Sequence, residues 1–435
     1  MLIRERQLTS LPKGHCLHNT QVFSDDDTLI VYDTRNDDSQ IQTTGTVEML
    51  NVQTGEDILV YQVPYQNEYG PGVGAASFSP TRKSIMFLRG LLNCNQQQPY
   101  GFNRRSGIKI NIDQLNVAVN LDARNVAEPL TPGALRGGTH AHQWSGDGNW
   151  ISYTYNDYLL DELSKQQPER KFNRSVGIML PDYTVEVINP DGLENFSGSM
   201  FALLISQIKT DAQPNTDEIF AAVDECWIGV NGYQTANGNW QRKAIAFQGC
   251  LYDASGKEKR EVYVADLPEQ FSYEELRQTA GSLTLPPSVP KSVRQRRLTY
   301  TPHGICGPRH WLRSSANGRL IAFLSYDDNH TVQIFGVSPQ GGQPYQISKL
   351  AADVSGPFNI SPDGKYIACL SDNNVWLINI ETGDAERATF HHQLDRAVGS
   401  VIWDNKGDQL VYNRYVKHAD GNAYLQIFLL ELGNK

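Results

Sequence analysis

Four histidines stand where short apolar stretches begin. His140 and His142 flank a single alanine, His310 follows an arginine in Pro308-Arg309-His310, and His18 precedes Asn19 near the start of the chain. Imidazoles grouped with carboxylates can hold a divalent cation such as Mn²⁺ or Zn²⁺, or move protons near pH 7. They can equally be polar plugs, hydrogen-bonded inside a wet channel. Alternation along a strand places the rings of His140 and His142 on one side, so His140, His142 and His310 are the candidate metal ligands. Arg309 lies behind the stiff turn Gly307-Pro308, which holds its guanidinium fork either for a ligand carboxylate or phosphate or for a neighbouring aspartate. Arg309 and His310 form the candidate catalytic pair. His18, Asn19, Asp33, Arg35, Asn156, Asp157, Asp327 and Asp328 are candidate ligand contacts, with the aspartates able to serve instead as turn caps. Phosphate-binding glycine loops, the dinucleotide fingerprint and the G-x-S-x-G elbow are missing from the sequence, so no nucleotide cofactor is expected.

These residues are scattered over three hundred positions, and only a repeating architecture brings them together. The phrase Ala75-Ala-Ser-Phe-Ser79 followed by Ile85-Met-Phe-Leu88 returns along the chain. It recurs as His140-Ala-His-Gln-Trp-Ser145, Gly146-Asp147-Gly148 and Trp150-Ile-Ser-Tyr-Thr-Tyr155. Further copies contain Asn317-Gly318, Asp363-Gly364 and Lys406-Gly407 between two apolar strands. Asp-Gly and Asn-Gly supply the positive φ that a tight hairpin needs. The spacing from Ser361 to Asp404 matches the roughly 40–45 residues of a four-stranded propeller blade.

The repeat predicts an all-β fold, a single seven-bladed β-propeller over residues 1–435. Its incoming and outgoing loops share one face, so the candidate residues meet at a common mouth. The period breaks between Ser145 and Ser315. There, Ser199–Ile205 is expected as an inner strand, followed by strands at Lys243–Phe247, Glu261–Ala265 and Arg297–Tyr300. Ile219, Ala222, Val223, Cys226 and Trp227 at helical spacing predict a helical insertion over about 215–229. Ser272 with Glu275 forms a capping box that predicts a second one over about 271–281. Arg6-Gln7-Leu8-Thr9 matches Arg296-Arg297-Leu298-Thr299, so strand 4–9 is expected to complete the last blade, 396–433, and remove an exposed edge.

The 38 basic and 48 acidic residues leave a net charge of −10, which repels phosphate backbones and argues against nucleic acid. No run of 18 apolar residues occurs, so no membrane span is expected. Six scattered cysteines without a C-x-x-C pair, and a start lacking a leader's apolar stretch, predict a reducing, cytoplasmic setting.

The blade phrases His142-Gln-Trp-Ser-Gly-Asp-Gly-Asn-Trp-Ile-Ser and Phe358-Asn-Ile-Ser-Pro-Asp-Gly-Lys-Tyr-Ile-Ala resemble those of TolB-like propellers. Leu130–His140, Arg294–Thr299 and Pro308–Trp311 resemble the bacterial YidR-like family. That family is in turn similar to oligogalacturonate lyases, propellers that cleave uronate oligosaccharides by β-elimination with Mn²⁺ held by histidines and a glutamine. The resemblance implies a metal bound by His140, His142 and His310, with Arg309 facing a substrate carboxylate; Gln143 does not match the glutamine ligand. It implies a small acidic sugar or glycan as ligand. A non-catalytic propeller that binds a glycan, a peptide or a protein partner is the alternative.

Overall fold

Two-faced strands account for the architecture. In Lys243–Tyr252, Ala244 and Ala246 pack into one apolar cluster while Ile245 and Phe247 pack into another on the opposite side. Successive side chains of a strand point to opposite faces, so a strand apolar on both faces must be sandwiched between two sheets. Every blade is built this way, and each junction between adjacent blades has its own cluster. Leu17, Ile30, Val411 and Ile427, for example, join the first blade to the last. The core is therefore spread around a ring.

The computed structural model describes residues 3–433 except Asp38, Lys171 and Asp182. It is a seven-bladed β-propeller. The inner strands of blades 2, 3, 4 and 7 are Val73–Phe78, Gly137–Trp144, Ala221–Trp227 and Ala397–Trp403. Those of blades 5 and 6 are short, at Arg313–Ser314 and Asn359–Ile360. In blade 1, single bridges at Cys16 and Phe23 line the chain up beside Leu29–Asp33. Ile3–Gln7 pairs antiparallel with Ala423–Leu432 and makes the fourth strand of blade 7.

The repeated serine turns out to be half of a turn device. Ser145 Oγ donates to Asp147 at 2.5 Å and accepts the Trp150 N–H at 3.0 Å. Ser315 with Asn317, and Ser361 with Asp363, repeat the arrangement.

Two expectations are corrected. Residues 215–229 contain no helix, since Ala221–Trp227 is the inner strand of blade 4. Residues 219, 222, 223, 226 and 227 mimic helical spacing because both strand faces are buried and a bulge between Val223 and Cys226 shifts the alternation. Phe201–Leu204, within the expected inner strand, is instead the outermost strand of blade 3. At Ser272 the side chain caps a short helix, α2 (Tyr273–Arg277). Another helix, α1 (Tyr158–Ser164), follows the second strand of blade 3. No helix among the described residues is long and apolar enough to cross a membrane.

Candidate functional site

Three of the inner strands share an irregularity. In blades 2, 3 and 4 one extra residue bulges out between Gly74 and Ser77, His140 and Gln143, and Val223 and Cys226. The residues within these bulges include Ala75, Ala141 and Asp224, with φ of 59°, 55° and 52°. Bulges of this kind re-aim side chains. At Ala141 the bulge breaks the expected one-sided placement of the histidines: His140 lines the mouth cavity, whereas His142 lies within hydrogen-bond distance of Thr139 Oγ1, at 3.0 Å.

The cavity occupies about 870 Å³ and gathers groups from several blades. Four guanidinium groups line it. Arg35 is held by Asp33 through Nε at 2.6 Å and Nη2 at 2.9 Å, while the second oxygen of Asp33 also accepts the Ala75 N–H. Arg309 donates through Nε and Nη2 to Asp224 Oδ1, both at 3.2 Å, and stacks 4.6 Å over Trp311. Arg105 and Arg174 form no ion pair among the described residues. Arg105 gives its Nη1 hydrogen to Tyr100 Oη at 2.7 Å, and its Nε and Nη2 have no partner. The Phe102 ring lies 4.8 Å from the Arg105 guanidinium and 5.3 Å from that of Arg174. Burial, followed by the charges of Arg105, Arg174 and Arg309, holds the His140 pKa well below its ordinary value, so the imidazole is neutral. The carboxylates on the lining, Asp37 and Glu68, are exposed at its rim. An anion is the complement of this site.

The other candidates divide by position. His18, Asn19, Arg35 and Arg309 line the cavity with His140. Asp33 is fully buried and positions Arg35. Asp157 pairs with buried Arg136 at 2.8 Å and caps α1 through the Leu160 N–H, so its carboxylate is already used. Asn156 sits outside the cavity lining, its backbone paired with Gly138. Asp327 caps its own turn by accepting from Asn329 and Thr331, and exposed Asp328 lies beside it, away from the cavity. Arg309, expected to serve either a ligand or an aspartate of a neighbouring blade, pairs with Asp224 and remains half exposed on the cavity lining.

The expected metal set is not assembled. His310 has both ring nitrogens committed to backbone, and His142 is turned to Thr139. Gln143 donates to the Glu225 carbonyl at 3.0 Å. Among the described residues no three His, Cys, Asp or Glu side chains are grouped to hold a metal ion. His140 is also ringed by guanidinium groups, which repel a cation. The residues present do not fit Mn²⁺. His310 likewise leaves the candidate catalytic pair, because neither of its nitrogens is free for a ligand.

Arg105, Arg174, Tyr100 and Phe102 were not among the sequence candidates. The signal for Tyr100, Phe102 and Arg105 lies in Tyr100-Gly-Phe-Asn-Arg-Arg105, where aromatic residues and arginines interleave at the end of a long loop leaving the second strand of blade 2. That is a position the propeller geometry assigns to the mouth. Farther inside, Asp122 accepts the Gly107 N–H at 2.7 Å, and Glu225 accepts from Thr154 at 2.9 Å. Burial pushes their pKa values up to about 7 and about 8.

Comparison with known proteins places this geometry. A family model described as "Protein of unknown function (DUF3748)" matches residues 72–192. The uncharacterized protein YidR of Escherichia coli (strain K12) is 32% identical over 415 residues, covering 94% of each chain. Among solved structures, an oligogalacturonate lyase in complex with manganese superposes with a TM-score of 0.55 at 10% identity, covering 99% of this chain and 93% of the other. An oligogalacturonate lyase from Vibrio parahaemolyticus gives 0.53 at 10% identity, covering 98% and 93%. At that identity the structural likeness speaks to the fold alone. The identity and coverage shared with YidR go further, and the chain belongs to the YidR family of β-propellers.

Proposed function

We propose that the mouth cavity binds an acidic (uronate) oligosaccharide through its carboxylate and promotes β-elimination, the reaction type of a polysaccharide lyase. One observation carries this reading: Arg105 and Arg174 face the cavity without a carboxylate partner among the described residues, beside a neutral imidazole. An unpaired buried guanidinium is costly, and a ligand carboxylate satisfies it with charge-assisted bonds. The likeness of the fold to oligogalacturonate lyases points to uronates among carboxylate ligands. Tyr69, Tyr100 and Trp311 add apolar surface for sugar rings.

In the elimination, the guanidinium groups neutralise the uronate carboxylate and acidify the adjacent C5–H. His140, held as the free base, accepts that proton. The C5–H electron pair forms the C4=C5 double bond as the C4–O bond breaks, and the departing oxygen takes a proton from solvent. No step is routed through a metal. The test is incubation with oligogalacturonate while following the ultraviolet absorbance of the conjugated double bond. Absorbance should rise with the wild-type chain and be lost in His140→Ala. If the wild type binds the oligosaccharide yet produces no unsaturated product, the pocket is a non-catalytic receptor, and elimination is ruled out.

A further inference from the structure

Arg105 is 2% exposed, and its Nε and Nη2 atoms are shielded from solvent with no hydrogen-bond partner among the described residues. These two atoms form the edge of a guanidinium that grips both oxygens of a carboxylate. The remaining nitrogen, Nη1, is engaged by Tyr100 Oη at 2.7 Å. A donor edge that can reach neither water nor protein is unusual in a native fold, and here its surroundings explain it. The guanidinium lies between the ring of Tyr100, at 5.9 Å, and that of Phe102, at 4.8 Å.

Phe102 itself is poorly held. Its residue is 58% exposed, and its ring meets the two guanidinium groups and the tilted ring of His140 at 6.5 Å. The backbone beneath it is fixed. A Cβ on Gly138 would stand 2.3 Å from the Phe102 carbonyl, so only glycine lets this loop lie against the inner strand of blade 3. Tyr100 N–H donates to the Tyr69 carbonyl at 2.8 Å, which ties down the other side. The backbone is anchored, while the side chain stands more than half exposed on the cavity lining.

We propose that Phe102 is a displaceable cover over the Nε–Nη2 edge of Arg105, and that an incoming carboxylate binds by replacing the phenyl ring. The inference rests on the acidic-sugar reading of the same cavity and adds its gate. In the closed state the Nε–Nη2 edge of Arg105 has ring contact in place of a hydrogen-bond acceptor. The open state gives Arg105 a bidentate partner and brings the ligand carboxylate between Arg105 and Arg174. Because the covered state does not bind, the observed affinity is reduced by the fraction of molecules that are closed.

Calorimetric titration and stopped-flow binding of trigalacturonate to the wild type, Phe102→Ala and Phe102→Trp test this, with circular dichroism to confirm folding. Phe102→Leu serves if the alanine variant is perturbed. Removing the cover should tighten binding about tenfold, chiefly through a faster association rate, and the larger indole should weaken it. If Phe102→Ala and Phe102→Leu weaken binding instead, the ring is a stacking platform; the gate is overturned while the acidic-sugar reading stands. Unchanged affinity in both also overturns the gate. If none of the variants nor the wild type binds trigalacturonate, both the gate and the reading beneath it fall.

Discussion

The Nε2 atom of His310 accepts the backbone N–H of Leu324 at 3.0 Å, from the neighbouring strand of its own blade. The opposite ring nitrogen lies 2.9 Å from the Pro308 carbonyl, which can only accept, so Nδ1 carries the proton. One neutral tautomer satisfies both contacts, and burial lowers the pKa to about 4 in keeping with it. His310 is a backbone staple at the mouth.

His310→Ala is accordingly expected to lower stability by about 2–4 kcal/mol, since two buried backbone groups lose their partner. Urea denaturation measures this. The affinity of the folded variant for acidic oligosaccharide should change less than threefold, an order-of-magnitude allowance for loop relaxation. A selective loss of binding at unchanged stability would return His310 to the site.

Arg136 and Asp157 form a second structural pair, with side chains 1% and 0% exposed. Tyr155 Oη also donates to Asp157 at 3.0 Å. Arg136→Met leaves a buried carboxylate without its cation and should cost about 3–5 kcal/mol. Adding Asp157→Leu should recover part of that loss but not the cap of α1, which the Asp157 side chain supplies through Leu160 N–H. Thermal unfolding of the single and double variants checks the order.

Much of the fold was legible because turn chemistry repeats. The Asp-Gly and Asn-Gly turns between apolar strands are local signals, and they mark the blades wherever insertions are short. The stretch from Ser145 to Ser315 was less legible, because Ala222, Val223 and Cys226 sit on a doubly buried, bulged strand, and buried Ile219 just before it completes a phase that imitates a helix. The site was legible only in part. His18, Asn19, Arg35, His140 and Arg309 do converge, since the ring geometry alone fixes where blade mouths lie. The partnership of His140 with His142 and His310 did not follow, because a single left-handed residue at Ala141 and the two backbone contacts of His310 are invisible to residue spacing. Arg105 and Arg174 are not marked by the sequence, because the charge of an arginine says nothing about whether a carboxylate answers it.

Closure of the ring yields a prediction about the first strand. Ile3–Gln7 pairs with Phe428–Leu432 on the outer edge of Ala423–Leu432, and Glu5 meets Arg414, His391 and Tyr412. Deleting residues 1–9 should expose that edge and lower the melting temperature by about 10 °C or more, with self-association visible by light scattering. A truncated chain that stays monomeric with an unchanged melting temperature would show that blade 7 stands without it.

The buried acids set the pH response. Burial raises Glu225 from 4.5 to about 8 and Asp122 from 3.8 to about 7. The folded state keeps these protons where the unfolded chain has lost them. Their stabilisation is full below the unfolded values and disappears as pH rises through the folded ones. The buried imidazoles of His18, His142 and His310, lowered to about 3, 3 and 4, act in the opposite sense and only below about 6.5. Between pH 6.5 and 8 the wild type should therefore lose stability as pH rises, by at most about 1.4 kcal/mol per unit for each acid. Glu225→Gln should flatten that slope, as urea midpoints across the range will show.

The most direct measurement is equilibrium binding of trigalacturonate and of its uncharged methyl ester to the wild type, Arg105→Ala and Arg174→Ala. The account predicts that the acid binds the wild type, that the ester binds at least tenfold more weakly, and that each substitution removes about 1.5–3 kcal/mol of affinity for the acid alone. Equal binding of acid and ester, or full affinity after both arginines are removed, would contradict it.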